Sequence, residues 1–298
     1  AGIFLFVLPG LAILSWTWKD CVTLDWPGKT ALSIGTSLAV YPVLLLWTDI
    51  LGIHLGPVNA WGPTVLALAA IAWQNRRASF KIPRVDWRSS EFWGQLAIIP
   101  VLALIVLVRM WVVRSLSVPL WGDSYHHTVM AQLIVDHGGL FDNWQPYADL
   151  FGLTYHFGLH SLIAVFHWIT RLPVPEATLW TGQLLNVYAV LVLYPLAVKL
   201  GRSAWAGCVA GLCAGLLAQM PMFYTNWGRY SQLAVQVILP VAVWIVWELV
   251  ERLPKSIGIW IVTAVVWSGL ALTHYRIFLL GLLFLFVLLI VLAVLLTY

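Results

Sequence analysis

The polar segment WGDSYHH, residues 121–127, interrupts a chain that otherwise consists largely of apolar runs. Its Asp123 carries a carboxylate that could act as a general base or hold a divalent cation at a membrane surface. Asp123 also precedes an amphipathic pattern, where an N-cap belongs, and one side chain can serve both purposes. His126 and His127 would point about 100 degrees apart on a helix, so only one of them would join Asp123. We predict Asp123 as the catalytic base and His126 as its helper.

Two further polar segments carry arginine, whose planar guanidinium can hold a phosphate through two hydrogen bonds. They are NWGRYSQ, residues 226–232, and THYR, residues 273–276. Arginines near span ends often extend to lipid headgroups, but outward-facing arginines are uncommon because basic residues concentrate in cytoplasmic loops. We therefore predict a substrate-binding anion site. Its members from these two segments are Asn226, Arg229, Tyr230, His274 and Arg276.

Three histidines lie in the segment YHFGLHSLIAVFHW, residues 155–168. His156 and His160 are four residues apart and would share one face of a helix, a spacing that suits a metal ion. The sequence offers no evident third ligand, so we assign no metal ligands. We expect hydrogen bonds to headgroups or neighbouring helices, and we include both histidines in the substrate-binding set.

The composition places these side chains in a membrane protein. The chain is 61% hydrophobic and 9% charged, which leaves too little polar surface for a water-soluble domain. Apolar segments of about 18 to 25 residues recur without alternating strands, so helices rather than a barrel must satisfy the backbone. We predict an all-α, polytopic integral membrane protein with about nine to ten transmembrane helices. The net charge of +4 is spread over loops and argues against a nucleic-acid partner.

The orientation follows from basic residues in short loops, which stay on the cytoplasmic side. Residues 75–91 carry five basic side chains, whereas residues 115–150 have no Lys or Arg and four aspartates. We predict that the first loop is cytoplasmic and the second faces outward. Arg109 and Arg114, before the outward loop, either serve the same anion or anchor their helix, and Asp49 is expected to cap a span end.

The connections near Lys199 and near Arg252 are short and basic, so both are predicted to be cytoplasmic. They conflict with the first half of the chain if residues 151–170 cross the membrane. Because ionisable groups are expensive in a lipid span, we predict that this histidine-bearing segment is an interfacial or re-entrant helix on the outer side. Nine spans then remain, and the three polar segments share one outer face.

The chain divides into a four-helix transmembrane region, residues 1–113, and a transmembrane core, residues 114–298. The core carries the outward loop 114–150, whose amphipathic helix should stop at Gly138-Gly139. The chain starts inside one apolar run and ends just after another. We expect it to be a fragment of a longer protein.

This order of features resembles the polytopic glycosyltransferases of the C superfold. The resemblance covers residues 113–275 and rests on the aspartate early in the outward loop, the amphipathic helices and the segment that begins Tyr155-His156-Phe157-Gly158, where histidine replaces the proline of a YPxG-like start. It departs from the family in lacking a paired acidic motif in the loop and an aspartate in NWGRYSQ. It implies a polyprenyl-phosphate sugar donor, with Asp123 as base or as organiser of a divalent cation such as Mg²⁺ or Mn²⁺.

Two other functions use the same residues. A transporter or flippase of an anionic lipid would use the arginines without chemistry, although the sequence has no evident inverted repeat. A non-catalytic membrane subunit would bind a pigment or haem, but the histidines cluster at the outer surface and no CxxCH occurs. We predict the glycosyltransferase, with a lipid-linked sugar and membrane lipids as partners, in the plasma (inner) membrane with its site facing outward.

Overall fold

The computed structural model of the protein describes residues 2–18, 24–76, 86–153, 155–252 and 257–297. Across these ranges all regular structure is helical, apart from one isolated β-bridge between Asn143 and Phe151. The α-helices are α1 (Gly2–Phe6), α2 (Leu8–Thr17), α3 (Trp26–Ile50), α4 (Pro57–Ala60), α5 (Gly62–Asn75), α6 (Ser90–Val113), α7 (Gly122–His137), α8 (Gly158–Thr170), α9 (Val174–Leu191), α10 (Tyr194–Gly201), α11 (Ala204–Leu212), α12 (Met222–Asn226), α13 (Tyr230–Arg252), α14 (Ile257–Thr273) and α15 (Tyr275–Thr297). A π-helical turn, Cys213–Leu217, follows α11. The all-α prediction is confirmed.

Five helical segments are long and apolar enough to cross a membrane. They are Trp26–Ile50, Ser90–Val113, Val174–Gly201, Ala204–Asn226 and Tyr230–Glu251. Four shorter apolar helices accompany them: Phe4–Thr17, Gly158–Thr170, Ile257–Thr273 and Tyr275–Val291. By length and composition the chain is a polytopic helical membrane protein. The predicted span at residues 57–74 is divided between α4 and α5. Arg77, Lys81, Arg84 and Lys255, on which the predicted orientation partly rests, lie outside the described residues.

The helix α3 forms the centre of the bundle. It begins where the Asp25 carboxylate accepts a hydrogen bond from the Gly28 backbone N–H at 3.0 Å, the interaction of an N-cap. A Cβ atom added at Gly35 would lie 2.5 Å from a Val241 methyl group, and one at Gly269 would lie 2.3 Å from the Ala39 carbonyl oxygen. Small residues at these crossings let helix backbones approach closely, as is common between membrane helices.

Hydrogen bonds hold both ends of α3. At its first end, which we call the Asp25 end, Tyr194 Oη donates to Asp25 Oδ2 at 2.6 Å. At the other, the Asp49 end, Asp49 Oδ1 accepts from the Leu140 backbone N–H at 2.8 Å. The Asp49 side chain therefore holds the segment just beyond α7 and does not cap the end of α3.

Further polar contacts place the neighbouring helices relative to these two ends. In α10, the helix that carries Tyr194, Lys199 Nζ lies 2.6 Å from Glu248 Oε1 near the C-terminal end of α13. The Glu91 carboxylate at the start of α6 accepts from the Ala204 backbone N–H at 2.7 Å. The opposite ends of α6 and α13, at Val113 and Tyr230, consequently lie toward the Asp49 end.

The helix α7 is the amphipathic helix predicted after the first polar segment. It ends at His137, and the next residue, Gly138, has a φ of 65°, the left-handed C-cap that glycine adopts readily. The predicted apolar face is buried in the bundle; it consists of Val129, Met130, Leu133 and Ile134. The sequence pattern thus predicted both the burial and the end of this helix.

The helix α8 contains 13 residues and is about 20 Å long, less than the ~30 Å hydrocarbon thickness of a bilayer. Most of its side chains are buried against protein, including His160 and Trp168. A helix lying on the membrane surface would expose one side, so the interfacial alternative does not describe α8. A helix of this length is too short for a full crossing.

Arg109 anchors α6 and does not serve an anion. Its side chain is buried, Nε donates to Asn186 Oδ1 at 2.9 Å, and Nη2 donates to the Gly215 carbonyl oxygen at 2.8 Å. Gly215 belongs to the π-helical turn, where the altered backbone pattern presents this carbonyl. These two bonds tie α6 to α9 and to the π-helical turn.

Candidate functional site

The three polar segments of the sequence meet at the Asp49 end of the bundle. WGDSYHH forms the start of α7, NWGRYSQ joins α12 to α13, and THYR joins α14 to α15. The residues that lead into α8 join them, because a Cβ atom at Gly158 would lie 2.3 Å from the Thr273 hydroxyl oxygen. Contacts between segments distant in sequence thus build one polar site.

Asp123 and Arg229 form an ion pair at this site. Arg229 Nε lies 3.1 Å from Asp123 Oδ2, and the two side chains are 39% and 44% exposed, respectively. The Arg229 guanidinium carbon also lies 4.8 Å from the centre of the Trp227 ring, within the range of a cation–π contact. Trp227 therefore orients the Arg229 side chain, and the exposed part of the ion pair is open to a ligand.

Gly228 allows this pair to form. Its φ of +69° lies in the left-handed region, and a Cβ atom there would lie 2.7 Å from Ser124 Oγ and 2.9 Å from Ser124 N. Only glycine combines this backbone conformation with so close an approach at low cost. Arg229 is thereby held beside the first turn of α7.

The predicted N-cap role of Asp123 is wrong. The residue at the N-cap position of α7 is Trp121, with φ 68°, and no side-chain capping bond is present there. Asp123 is the second residue of the helix, and its carboxylate contacts Arg229 instead. A carboxylate in the first turn still benefits from the positive end of the helix dipole.

A pair of buried histidines lies behind the ion pair. His127 Nδ1 and His160 Nε2 are 3.0 Å apart and share a hydrogen bond. The Tyr230 ring, 6.4 Å from the His127 ring, packs against the same pair. Both histidines are buried, with 5% of His127 and none of His160 exposed.

A second histidine pair lies on the α15 side of the site. The rings of His156 and His274 are 4.3 Å apart, and both residues are buried. Tyr275 lies 5.9 Å from His156, and Arg276 Nε donates to Tyr275 Oη at 3.1 Å. Arg276 itself is exposed and sits at the rim of this pair.

Tyr155 connects the two pairs. Its ring centre lies 3.7 Å from that of His156. The ring centres of His127 and His160 lie farther away, at 6.0 and 6.1 Å. Its hydroxyl group lies 3.3 Å from Ser231 Oγ on α13. We call His127, His156, His160 and His274 the histidine cluster; it spans α7, α8 with the residues before it, and the turn between α14 and α15.

Burial favours the neutral form of the imidazoles of His127, His156 and His274 by lowering the pKa of each. Burial lowers the pKa of His127 to about 4, and the nearby Asp123 opposes the shift only in part. Burial lowers the pKa of His156 to about 3, and positive charge on His274, His127 or Arg276 would lower it further. The pKa of His274 is lowered by burial and by Arg276. Neutral imidazoles both donate and accept hydrogen bonds.

Two predicted site residues lie outside these contacts. His126 is exposed, with its ring 5.8 Å from that of Tyr125, and Asn226 is exposed at the end of α12. On α7 the adjacent residue, His127, faces the histidine cluster instead of His126. The predicted residues that the fold brings together are Asp123, Arg229, Tyr230, His156, His160, His274 and Arg276.

The sequence interpretation missed Tyr155 and Trp227. Both are aromatic residues directly next to predicted site residues, which is the signal that could have identified them. The predicted shared helix face of His156 and His160 is also wrong, because α8 begins at Gly158 and His156 precedes it. Among the described residues, no group of three or more histidines, cysteines or carboxylates is placed to hold a metal ion.

A large apolar cavity of about 630 Å³ lies elsewhere, between α2, α3, α5 and α8. Ser161, the neighbour of His160, lines it, so α8 separates the cavity from the histidine cluster. The polar site itself is an open surface at the end of the bundle.

Comparison with known proteins finds no matching family model, no similar curated protein and no similar solved structure. The chemistry of the site is therefore argued from its own residues.

Proposed function

We propose that the protein is a membrane glycosyltransferase that transfers a sugar from a polyprenyl-phosphate donor to an acceptor at the outer face of the plasma membrane. The observation that carries the proposal is the ion pair of Asp123 and Arg229, which places a carboxylate and a guanidinium side by side at the polar end of an apolar bundle. Such a transfer needs a proton acceptor and a cationic group for the phosphate leaving group.

Arg229 is the group that would hold the donor phosphate. Its Nε lies 3.1 Å from an Asp123 carboxylate oxygen, while its two terminal nitrogens have no hydrogen-bond partner in the described part of the chain. Two parallel N–H donors match the geometry of two phosphate oxygens. Arg276, exposed beside the His156–His274 pair, would supply a second positive charge at the polar end of the bundle.

Asp123 would accept the proton of the acceptor hydroxyl group. Its carboxylate is partly open to solvent, so an acceptor that arrives from the aqueous side can reach it. The same carboxylate is next to Arg229, so the proton acceptor and the phosphate leaving group would lie close together.

A divalent cation such as Mg²⁺ or Mn²⁺ is compatible with this donor set. Mg²⁺ is commonly bound by one or two carboxylates together with substrate phosphates. Asp123 is the carboxylate that would contribute, and the cation would offset negative charge on the leaving phosphate.

The test compares wild-type protein with Arg229→Ala, Asp123→Asn and Arg114→Ala. Arg114 is the matched control, because it is also an exposed arginine stacked on a tryptophan, 3.9 Å from the Trp111 ring, but it has no carboxylate partner in the described chain. Native mass spectrometry of gently extracted protein would measure bound polyprenyl-phosphate lipid. Transfer from a radiolabelled polyprenyl-phosphate sugar would then be assayed.

We expect the lipid on wild type, Asp123→Asn and Arg114→Ala, and a loss of at least about tenfold on Arg229→Ala, the effect of removing a charged hydrogen-bond partner. Transfer should be retained only by wild type and Arg114→Ala. Absence of the lipid from wild type would contradict the proposal. Bound lipid that crosses vesicle membranes equally well with Asp123→Asn would instead support an anionic-lipid transporter.

A further inference from the structure

The apolar cavity between α2, α3, α5 and α8 has a lining that suits hydrocarbon. Its volume of about 630 Å³ lies in the range of ligand sites in proteins. None of the described residues that line it carries a charged side chain. Its hydroxyl and amide groups already donate to backbone carbonyl oxygens of the chain; they belong to Thr17, Tyr41, Thr48, Asn59 and Ser161. Such a lining offers water few partners and favours an apolar occupant.

The cavity is elongated along the helices and open at the side of the bundle. Its lining residues on α2, α3 and α5 fall within residues 9–17, 40–48 and 62–70, stretches of about 12 Å each. Two of the lining side chains, Trp16 and Leu66, are 60% and 71% exposed. Since α3 is long and apolar enough to cross a membrane, the opening lies where lipid chains can enter it.

A small polar pocket of about 130 Å³ adjoins the cavity at the Asp49 end of α3. Ile53 lines both spaces. The polar side chains of the pocket are those of Asp49, His54 and His137. Among the described residues that line either space, Asp49 is the one carboxylate, and no Lys or Arg occurs. A ligand that fills both spaces is therefore amphiphilic, and a net negative charge on its polar part would be repelled.

We propose that the cavity binds one hydrocarbon chain of a phospholipid with an amine headgroup, whose ammonium group contacts the Asp49 carboxylate in the polar pocket. Asp49 Oδ1 accepts from the Leu140 backbone N–H, and the second carboxylate oxygen is left for the ammonium group. Residues 115–150, which supply His137 and Leu140, carry four aspartates and no Lys or Arg. Their charge also favours an amine over an anionic headgroup.

Photo-crosslinking of the full chain in vesicles tests this site. The vesicles contain equal amounts of phosphatidylethanolamine and phosphatidylglycerol, and one of the two lipids at a time carries a diazirine in its chain. Mass spectrometry locates the crosslinked peptides. The informative residues are Val165 and Trp168 on α8, because they line the cavity and are otherwise buried in the bundle. Exposed side chains of α15, such as Leu283, report ordinary contact with the bilayer.

Two variants have matched controls. Ala70→Phe places a larger side chain in the cavity, whereas Ala69→Phe changes its exposed neighbour outside the lining. Asp49→Asn removes the charge but keeps an acceptor for the Leu140 N–H. Its control is Asp149→Asn, at an exposed carboxylate in the segment after α7.

In wild type, phosphatidylethanolamine should label α8 about threefold more than phosphatidylglycerol, the preference that a partly exposed ion pair provides, while both lipids label α15 equally. Ala70→Phe should lose most of the labelling of α8, and Asp49→Asn should lose the preference. Both controls should behave as wild type.

Labelling of α15 without labelling of α8 would overturn the lipid site. Equal labelling of α8 by the two lipids in wild type would overturn the contact of the headgroup with Asp49. If Ala70→Phe does not fold, the labelling of α8 in wild type still decides, because lipid reaches these residues through the cavity. The proposed transfer reaction does not depend on any of these outcomes.

Discussion

Gly228 packs so closely against Ser124 that a Cβ atom at the glycine would lie 2.7 Å from the serine hydroxyl oxygen. This contact joins the α12–α13 turn to the first turn of α7. Because Arg229 is the next residue in the chain, this contact brings its side chain to Asp123.

Gly228→Ala should weaken phosphate-lipid binding more than it weakens the fold. An alanine at positive φ costs about 1 kcal/mol or slightly more, and the close approach to Ser124 adds a displacement of the Arg229 segment. Gly52→Ala is the matched control, since Gly52 has the same φ of +69° but no neighbour within 4 Å. Thermal unfolding and native mass spectrometry of both variants separate the two effects. Equal lipid retention by the two variants would disprove the role of the contact.

Asp49→Ala should loosen the chain that follows α7. It removes the acceptor for the Leu140 N–H at 2.8 Å, and leaving that partly buried donor unpaired costs about 1–3 kcal/mol. Hydrogen exchange of residues 138–153 should therefore quicken, while α3 stays protected. Asp86→Ala, whose exposed carboxylate accepts from the Arg88 backbone N–H, serves as the control. Unchanged exchange in Asp49→Ala would show that the bond does not hold this segment.

Arg109→Ala should lower the unfolding temperature clearly. The change leaves the Asn186 amide oxygen and the Gly215 carbonyl without the bonds at 2.9 and 2.8 Å, and hydrogen bonds to charged groups are worth about 1.5–3 kcal/mol each. Arg114→Ala, at an exposed position of the same helix end, should have little effect. Thermal unfolding in detergent measures both, and a loss of equal size in the two variants would argue against anchoring by Arg109.

The stability of the protein should fall as the solution becomes acidic. The folded-state pKa values of His127 and His156, about 4 and about 3, lie below their ordinary value of 6.5. Between these limits the unfolded chain binds more protons than the folded chain, so stability rises with pH up to about 6.5 and is lost below it. Each histidine contributes at most about 1.4 kcal/mol per pH unit.

Thermal unfolding from pH 8 to pH 4 tests this dependence. His156→Gln should flatten the acid side of the profile, because glutamine does not titrate, whereas His126→Gln, at an exposed position, should leave the profile unchanged. A wild-type unfolding temperature that is constant between pH 7 and pH 4 would be incompatible with neutral buried imidazoles.

The sequence predicted the parts of the fold that depend on local pattern. Apolar runs of sufficient length indicated the helices, and Gly138 indicated where α7 stops, because a left-handed C-cap needs little beyond the residue itself. The three polar segments were also recognised, since polar side chains among apolar runs are conspicuous.

Features that depend on tertiary contacts could not be predicted. The choice between His126 and His127 depends on which way α7 faces, and the partner of Asp123 depends on the approach of Gly228 to α7. The π-helical turn at Cys213–Leu217 accepts a hydrogen bond from Arg109 on another helix. None of these relationships leaves a periodic signal in the chain.

Hydrogen bonds at both ends of α3 fix its position relative to the neighbouring segments of the bundle. With 25 residues it extends about 37 Å, more than the ~30 Å hydrocarbon layer it must cross. Since Tyr194 holds one end and Leu140 the other, α3 moves together with the segments bonded to its two ends. A helix longer than the hydrocarbon layer commonly tilts, and a tilt of α3 would move the segment after α7 along with it. Lipid composition would then set the angle at which the polar site is presented.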